Sequence, residues 1–151
     1  MQILFIDDDY KWSEPLRDGL AVLFDIDIDY KQTAHEAIAI FEENISLYKA
    51  IILDLWLPHY NIDRYQDFSH AGCCQNNEDG KYTGFVLLQE LKTIMKAQHI
   101  EIPVILLTVL DESEVMTCLK SLNINVAKIL KKPVGLQTMN DIIVKAGSNS
   151  G

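Results

Sequence analysis

Five short apolar runs, each followed by a stretch of helical spacing, constrain this chain more than any other feature. The runs are Gln2 to Ile6, Asp25 to Tyr30, Ala50 to Leu53, Val104 to Leu107 and Val126 to Leu130. The first is continuously apolar from Ile3 to Ile6, as in a strand covered on both faces. The second alternates Asp with apolar residues, placing Ile26, Ile28 and Tyr30 on one face, and reads as an edge strand with its other face exposed. Between the runs lie helix signals. Ser13-Glu14-Pro15 reads as a helix start with Ser13 as its cap, and Leu16, Leu20 and Leu23 have the spacing of an inward stripe. Thr33 reads as the cap of a second helix with Ala37, Ile38 and Phe41 inward. Gly84 to Ala97, Asp111 to Leu122 and Leu136 to Ala146 complete the set, the first of these with Phe85, Leu88, Leu91 and Met95 on one side. Five strands and five helices in strict alternation specify an α/β fold. Its sheet is parallel, its crossovers are right-handed and helices cover both faces.

Composition narrows the function classes. A chain of 151 residues suits one domain with one sizeable core. Its 22 acidic and 13 basic residues give a net charge of -9, the opposite of the basic footprint that direct nucleic-acid binding requires. No apolar stretch approaches the roughly 18–20 residues of a membrane span. Met1 stands almost directly before the first run, so no signal peptide is expected. Three cysteines, two of them adjacent, imply no disulfide framework, and a reducing cytoplasm is the expected location. One segment, from about residue 60 to 82, breaks the alternation: it is polar, contains glycine and has no periodicity. A structureless connection of that length is uncommon in a compact domain and reads as a functional loop or partner-contact surface. His59, His70, Cys73 and Cys74 near it are weak zinc candidates, because adjacent cysteines do not match the usual ligand spacing.

The chemistry sits at the ends of the runs. Asp7-Asp8 follow the first, Asp54 the third, Thr108 the fourth and Lys132-Pro133 the fifth. In a parallel α/β sheet, ligands bind beyond the carboxyl ends of the strands, so these residues are expected to meet in one cleft. Three carboxylates, a hydroxyl and an ammonium together describe a site for a divalent cation and a phosphoryl group. Each has a plainer reading alone. Asp7-Asp8 suit a helix N-terminus, Asp54 a strand-end turn, Thr108 a helix cap and Lys132-Pro133 an exposed turn. It is their joint occurrence at four strand ends that points to one site. Asp9 reads as a solvent-facing or capping residue. His35, His99 and Cys118 read as surface or packing residues. Close carboxylates repel, so at least one pKa among the three is expected to rise.

With these residues the chain resembles the receiver domain of two-component response regulators. The resemblance rests on Asp7-Asp8, on Asp54 within Leu53-Asp54-Leu55-Trp56-Leu57-Pro58, on Thr108, on Lys132-Pro133, and on Thr83 to Leu88 at the start of the third helix. It implies a CheY-like, flavodoxin-like sheet of order 2-1-3-4-5 over residues 1–147, with an atypical insertion at about 60–82 and a polar tail at 148–151, as a stand-alone receiver or one excised from a longer regulator. It implies Asp54 as phosphoacceptor and Mg²⁺ (or Mn²⁺) on Asp7, Asp8, Asp54 and the backbone carbonyl of Trp56. Lys132 would neutralise phosphoryl oxygens, and Thr108 would bond one of them and switch the outer surface. The implied donor is a histidine kinase or histidine phosphotransfer protein. The implied output is a downstream protein, with homodimerisation through the fourth helix, fifth strand and fifth helix. The implied protein is not an enzyme, catalysing only its own phosphorylation and dephosphorylation. Two positions depart from the family: Ile129 stands where an aromatic residue is usual, and Val109 where a small one is. Val109 and Trp56 are expected to restrict water and prolong the acyl phosphate. Two other readings belong to other classes. One is a pseudo-receiver that binds partners without phosphorylation. The other is an Asp-nucleophile, metal-dependent phosphatase, disfavoured because Trp56 occupies the place of that group's second Asp. No glycine-rich phosphate loop follows the first run.

Overall fold

In a computed structural model, residues 1–57 and 83–149 are described. The insertion at about 60–82, with His59, His70, Cys73 and Cys74, lies outside them. The described elements run β1 (Gln2–Ile6), α1 (Tyr10–Phe24), β2 (Asp27–Lys31), α2 (Ala34–Asn44), a 3-10 turn (Ile45–Leu47), β3 (Tyr48–Leu53), α3 (Thr83–Ala97), β4 (Val104–Thr108), α4 (Glu112–Leu122), β5 (Lys128–Lys131) and α5 (Leu136–Asn149). All strand pairs are parallel, as the alternation requires, and their order is β2-β1-β3-β4-β5, as the resemblance implies. No helix among the described residues is long and apolar enough to cross a membrane.

Period-two alternation divides the central strands between two apolar layers. Leu4, Ile6, Ile51, Leu53, Val104 and Leu106 face α2, α3 and α4, where Phe41, Phe85, Leu88 and Leu91 complete the layer. Ile3, Phe5, Ile52, Ile105 and Leu107 face α1 and α5, against Leu16, Leu20, Met139 and Ile143. Removing each such aliphatic side chain from water contributes roughly 1.5–3 kcal/mol. The continuous apolar runs are thus the strands that both layers cover. Ile26, Ile28 and Tyr30 share the second layer, as their alternation predicts.

Three local expectations need correction. Helix α1 begins at Tyr10, not near Ser13; its cap is Asp9, whose carboxylate accepts the Trp12 N–H. Ser13 lies buried inside the helix, its hydroxyl oxygen accepting from Arg17 Nε at 3.1 Å. Leu23 is 68% exposed, because the inward stripe of α1 runs through Leu16, Leu20 and Phe24 instead. The second and fifth strands start two residues later than their apolar runs. Asp25 takes the left-handed conformation (φ 55°) that ends α1, so β2 cannot begin until after it.

Candidate functional site

The register carries the sequence-predicted residues to one end of the sheet. Ile6 pairs with Lys31 on one side and Leu53 on the other, so Asp7 and Asp54 leave adjacent strands at the same level. Each first residue beyond a strand is held by one more ladder bond. Asp7 N donates to Lys31 O at 3.1 Å, Asp54 N to Ile6 O at 2.8 Å and Lys132 N to Thr108 O at 2.8 Å. Asp7, Asp54 and Thr108 are buried there, while Asp8 stands at the rim, exposed.

Lys132 closes the site from the β5 side. Its ammonium reaches Asp7 Oδ2 at 2.8 Å and Asp54 Oδ2 at 3.2 Å, with only 10% of its side chain exposed. The Lys132–Pro133 peptide is cis. The other Asp54 oxygen accepts the Trp56 N–H at 3.2 Å, and the other Asp7 oxygen accepts the Asp9 N–H at 2.8 Å. Thr108 Oγ1 accepts the Leu110 N–H at 3.2 Å, which orients the hydroxyl within the β4–α4 turn. The Lys132 N–H to Thr108 O bond sets Thr108 beside Lys132.

Electrostatically the site is poised. Burial pushes the Asp54 carboxyl up to about 7; the Lys132 ammonium pulls it down, and the Asp7 carboxylate pushes it up again. Asp8 is also raised, first by partial loss of solvent and then by Asp7. The expected rise is present, but burial rather than repulsion between carboxylates is its first cause. Burial alone would lower the Lys132 pKa; its bonds and attraction to Asp54 and Asp7 overcome this, and the net direction is upward.

Asp7, Asp8 and Asp54 can each offer an oxygen such that the three lie within 4.8 Å of one another. Hard oxygen donors converging from two strand ends fit Mg²⁺ or Mn²⁺ rather than a soft metal. Across this cleft the backbone is crowded. Gly84, in the first turn of α3, donates to Leu55 O at 2.8 Å, and a Cβ there would lie 2.3 Å from Leu55 Cα and 2.6 Å from Asp54 O. Only glycine lets α3 start so close to the Asp54 peptide. Val109 is 51% exposed and Trp56 37% exposed, so both stand at the protein surface. A separate hollow of about 450 Å³, bounded by Lys92, Val104, Ala127 and Ile142, lies at the start of β4, at the other end of the sheet.

Two residues of the site were not predicted. The Trp12 ring lies 4.5 Å from Lys132 Nζ. Tyr30 Oη donates to the Asp7 carbonyl at 2.6 Å, and the Arg17 guanidinium lies 3.7 Å from the Tyr30 ring centroid. The capping role read for Asp9 puts Trp12 in the first turn of α1, close after the acidic pair, and that was the available signal. Alternation on β2 already placed Tyr30 inward, level with Phe5.

No protein-family model matches the sequence, and no curated protein matches it. Solved structures do match, nearly end to end. A CheY-like response regulator receiver domain protein from Methanospirillum hungatei has a TM-score of 0.68 at 17% identity, covering 99% of this chain and 94% of its own. The receiver domain of Francisella response regulator 1452 has 0.66 at 23%, covering 99% and 98%. A response regulator from Burkholderia pseudomallei, solved with a phosphorylated aspartic acid, calcium ion and citrate, has 0.64 at 16%, covering 98% and 69%. The fold is that of CheY-like receiver domains.

Proposed function

We propose that this chain is a phosphoacceptor receiver of a two-component or phosphorelay system, with Asp54 the acceptor. The observation that carries this reading is one ammonium, Lys132, bonded to both Asp7 and Asp54 at the mouth of a three-carboxylate cluster. An Asp54 carboxylate oxygen attacks phosphorus and the bond from phosphorus to the donor breaks, leaving an acyl phosphate on Asp54. Positioning and charge neutralisation dominate such transfers. Lys132 already faces Asp54 and needs little movement to meet the incoming oxygens. Asp7, Asp8, Asp54 and the Trp56 carbonyl would hold Mg²⁺ or Mn²⁺, which when bound supplies positive charge against the phosphoryl oxygens. Thr108 would exchange its bond to the Leu110 N–H for one to a phosphoryl oxygen, drawing the β4–α4 turn toward the site.

The donor is a histidine kinase or a histidine phosphotransfer protein in the cytoplasm, and the output is a changed partner-binding surface. The chain catalyses only its own phosphorylation and dephosphorylation. The similar-fold regulator with a phosphorylated aspartic acid and a calcium ion supports this chemistry by analogy. Intact mass after incubation with acetyl phosphate and Mg²⁺ tests the reading. The parent is expected to gain one phosphoryl group, and Asp54→Asn, or the parent without Mg²⁺, to gain none. No gain in the parent, with acetyl phosphate or with a histidine-phosphorylated donor, would favour a pseudo-receiver. The same assay followed in time tests the shielding expected of Trp56 and Val109: a decay half-time of minutes or longer agrees, and one of seconds removes it.

A further inference from the structure

We propose that Trp12 is a positioning residue that fixes the pose of the Lys132 ammonium, a role resting on the phosphoacceptor reading above. The contacts form a closed circuit. Asp7 Oδ1 accepts the Asp9 N–H at 2.8 Å, Asp9 Oδ1 accepts the Trp12 N–H at 3.0 Å, the Trp12 ring lies 4.5 Å from Lys132 Nζ, and Lys132 Nζ returns to Asp7 Oδ2 at 2.8 Å. The cap of α1 thus ties the end of β1 to the residue after β5 through one indole.

The circuit answers a mechanical problem. A lysine is a compact charge on a flexible four-carbon stem and is not pre-organised as arginine is. Its two carboxylate partners leave it free to swing toward either one. An indole face attracts a cation within about 6 Å of its centroid, more strongly when water is scarce. The Lys132 side chain is 90% covered, the condition in which that attraction counts most. Trp12 in turn is braced, for it is partly buried and packed against the core layer that holds Leu16 and Leu20. The sequence puts a tryptophan where any helix former would serve α1, and its place over the ammonium gives it a use.

The test compares the parent with Trp12→Leu and Trp12→Phe by two readouts. The first needs no phosphorylation: the Nζ and Hε resonances of Lys132, identified by their loss in Lys132→Met, report the aromatic ring above them. They are expected upfield in the parent, near ordinary lysine values in Trp12→Leu, and intermediate in Trp12→Phe. The second is the rate of phosphoryl gain from acetyl phosphate with Mg²⁺. It is expected to fall about 5-fold in Trp12→Leu and to recover in part in Trp12→Phe, since a phenyl face keeps some of the attraction. Ordinary Lys132 shifts in the parent, or displaced shifts with an unchanged rate in Trp12→Leu, would overturn the proposal. If the parent takes up no phosphoryl group, the phosphoacceptor reading fails and the positioning role fails with it. The resonances would then show separately whether the ring holds the ammonium.

Discussion

At the scale of single residues the site shows its cost. Asp54 is a carboxylate held almost wholly out of water, and its pKa of about 7 lies well above the roughly 3.9 of an unfolded aspartate. Between those values the folded chain holds a proton that the unfolded chain has lost, so folding stability falls as pH rises. The contribution of Asp54 is fully present below about pH 4 and is lost as pH climbs through about 7. In metal-free buffer the urea midpoint of the parent is therefore expected to drop from pH 5 to pH 8. Asp54→Asn, which keeps the shape without the charge, is expected to flatten that slope and to be the more stable of the two at pH 8. A slope as steep in Asp54→Asn as in the parent would assign the pH dependence to other groups. The site carboxylates, Thr108 and Lys132 were legible in the sequence because each directly follows an apolar run, where chain order alone fixes their place at a sheet end. Trp12 was not, because its contact to Lys132 depends on the rotation of α1, and placing the cap at Ser13 left Trp12 outside the helix.

At the scale of elements, strand identities were legible, but of their boundaries only those of β1 were read to the residue. A continuous apolar run marks a buried strand, but it cannot mark where the preceding turn ends. Asp25 and Asn123 both adopt φ 55° to close α1 and α4, and the left-handed cap at Asp25 delays β2. Asparagine and aspartate tolerate this conformation better than most side chains, a weak signal beside hydrophobicity. The cap of α2 was legible, since Thr33 accepts the Glu36 N–H at 3.2 Å as its position predicts. The start of α3 carries the sharpest element-scale demand. Adding one methyl at Gly84 sets it against backbone rather than a movable side chain, so either α3 or the Asp54–Leu55 peptide must shift. Gly84→Ala is expected to cost about 2 kcal/mol or more by chemical denaturation, the upper part of the overpacking range. It is also expected to slow phosphorylation, because the displaced peptide is that of Asp54, the acceptor proposed above. Gly135→Ala is the control, since its nearest neighbour would be Thr138 Oγ1 at 4.0 Å and a near-neutral change is expected. Equal stability in the two variants would show that α3 can yield without cost.

At the scale of the whole molecule, the site is where the two layers meet. Asp7 and Asp54 continue central strands that both layers bury, while Lys132 follows the edge strand β5, so a ligand joining them ties the sheet's centre to its edge. At 16–23% identity to the solved response regulators, what persists is the fold. The parallel sheet covered on both faces could be read from local cues, because strict alternation of strand and helix demands it, whereas the strand order came from the family resemblance. The joint between layers implies a measurable coupling. A cation that binds the folded carboxylate cluster and not the unfolded chain stabilises it by RT ln(1 + [L]/Kd), about 1.4 kcal/mol at tenfold Kd. For a domain of this size that is a rise of roughly 3–6 °C in Tm. Proton and metal compete for Asp54, so the rise with Mg²⁺ is expected to be larger at pH 8, where Asp54 is ionised, than at pH 5.5, where it holds its proton. Asp54→Asn, with two carboxylates left in the cluster, is expected to lose most of the rise at pH 8 and all of its pH dependence. A Tm increment equal at both pH values, and equal in Asp54→Asn, would place Mg²⁺ on the acidic surface of a chain of net charge -9 instead of between Asp7, Asp8 and Asp54.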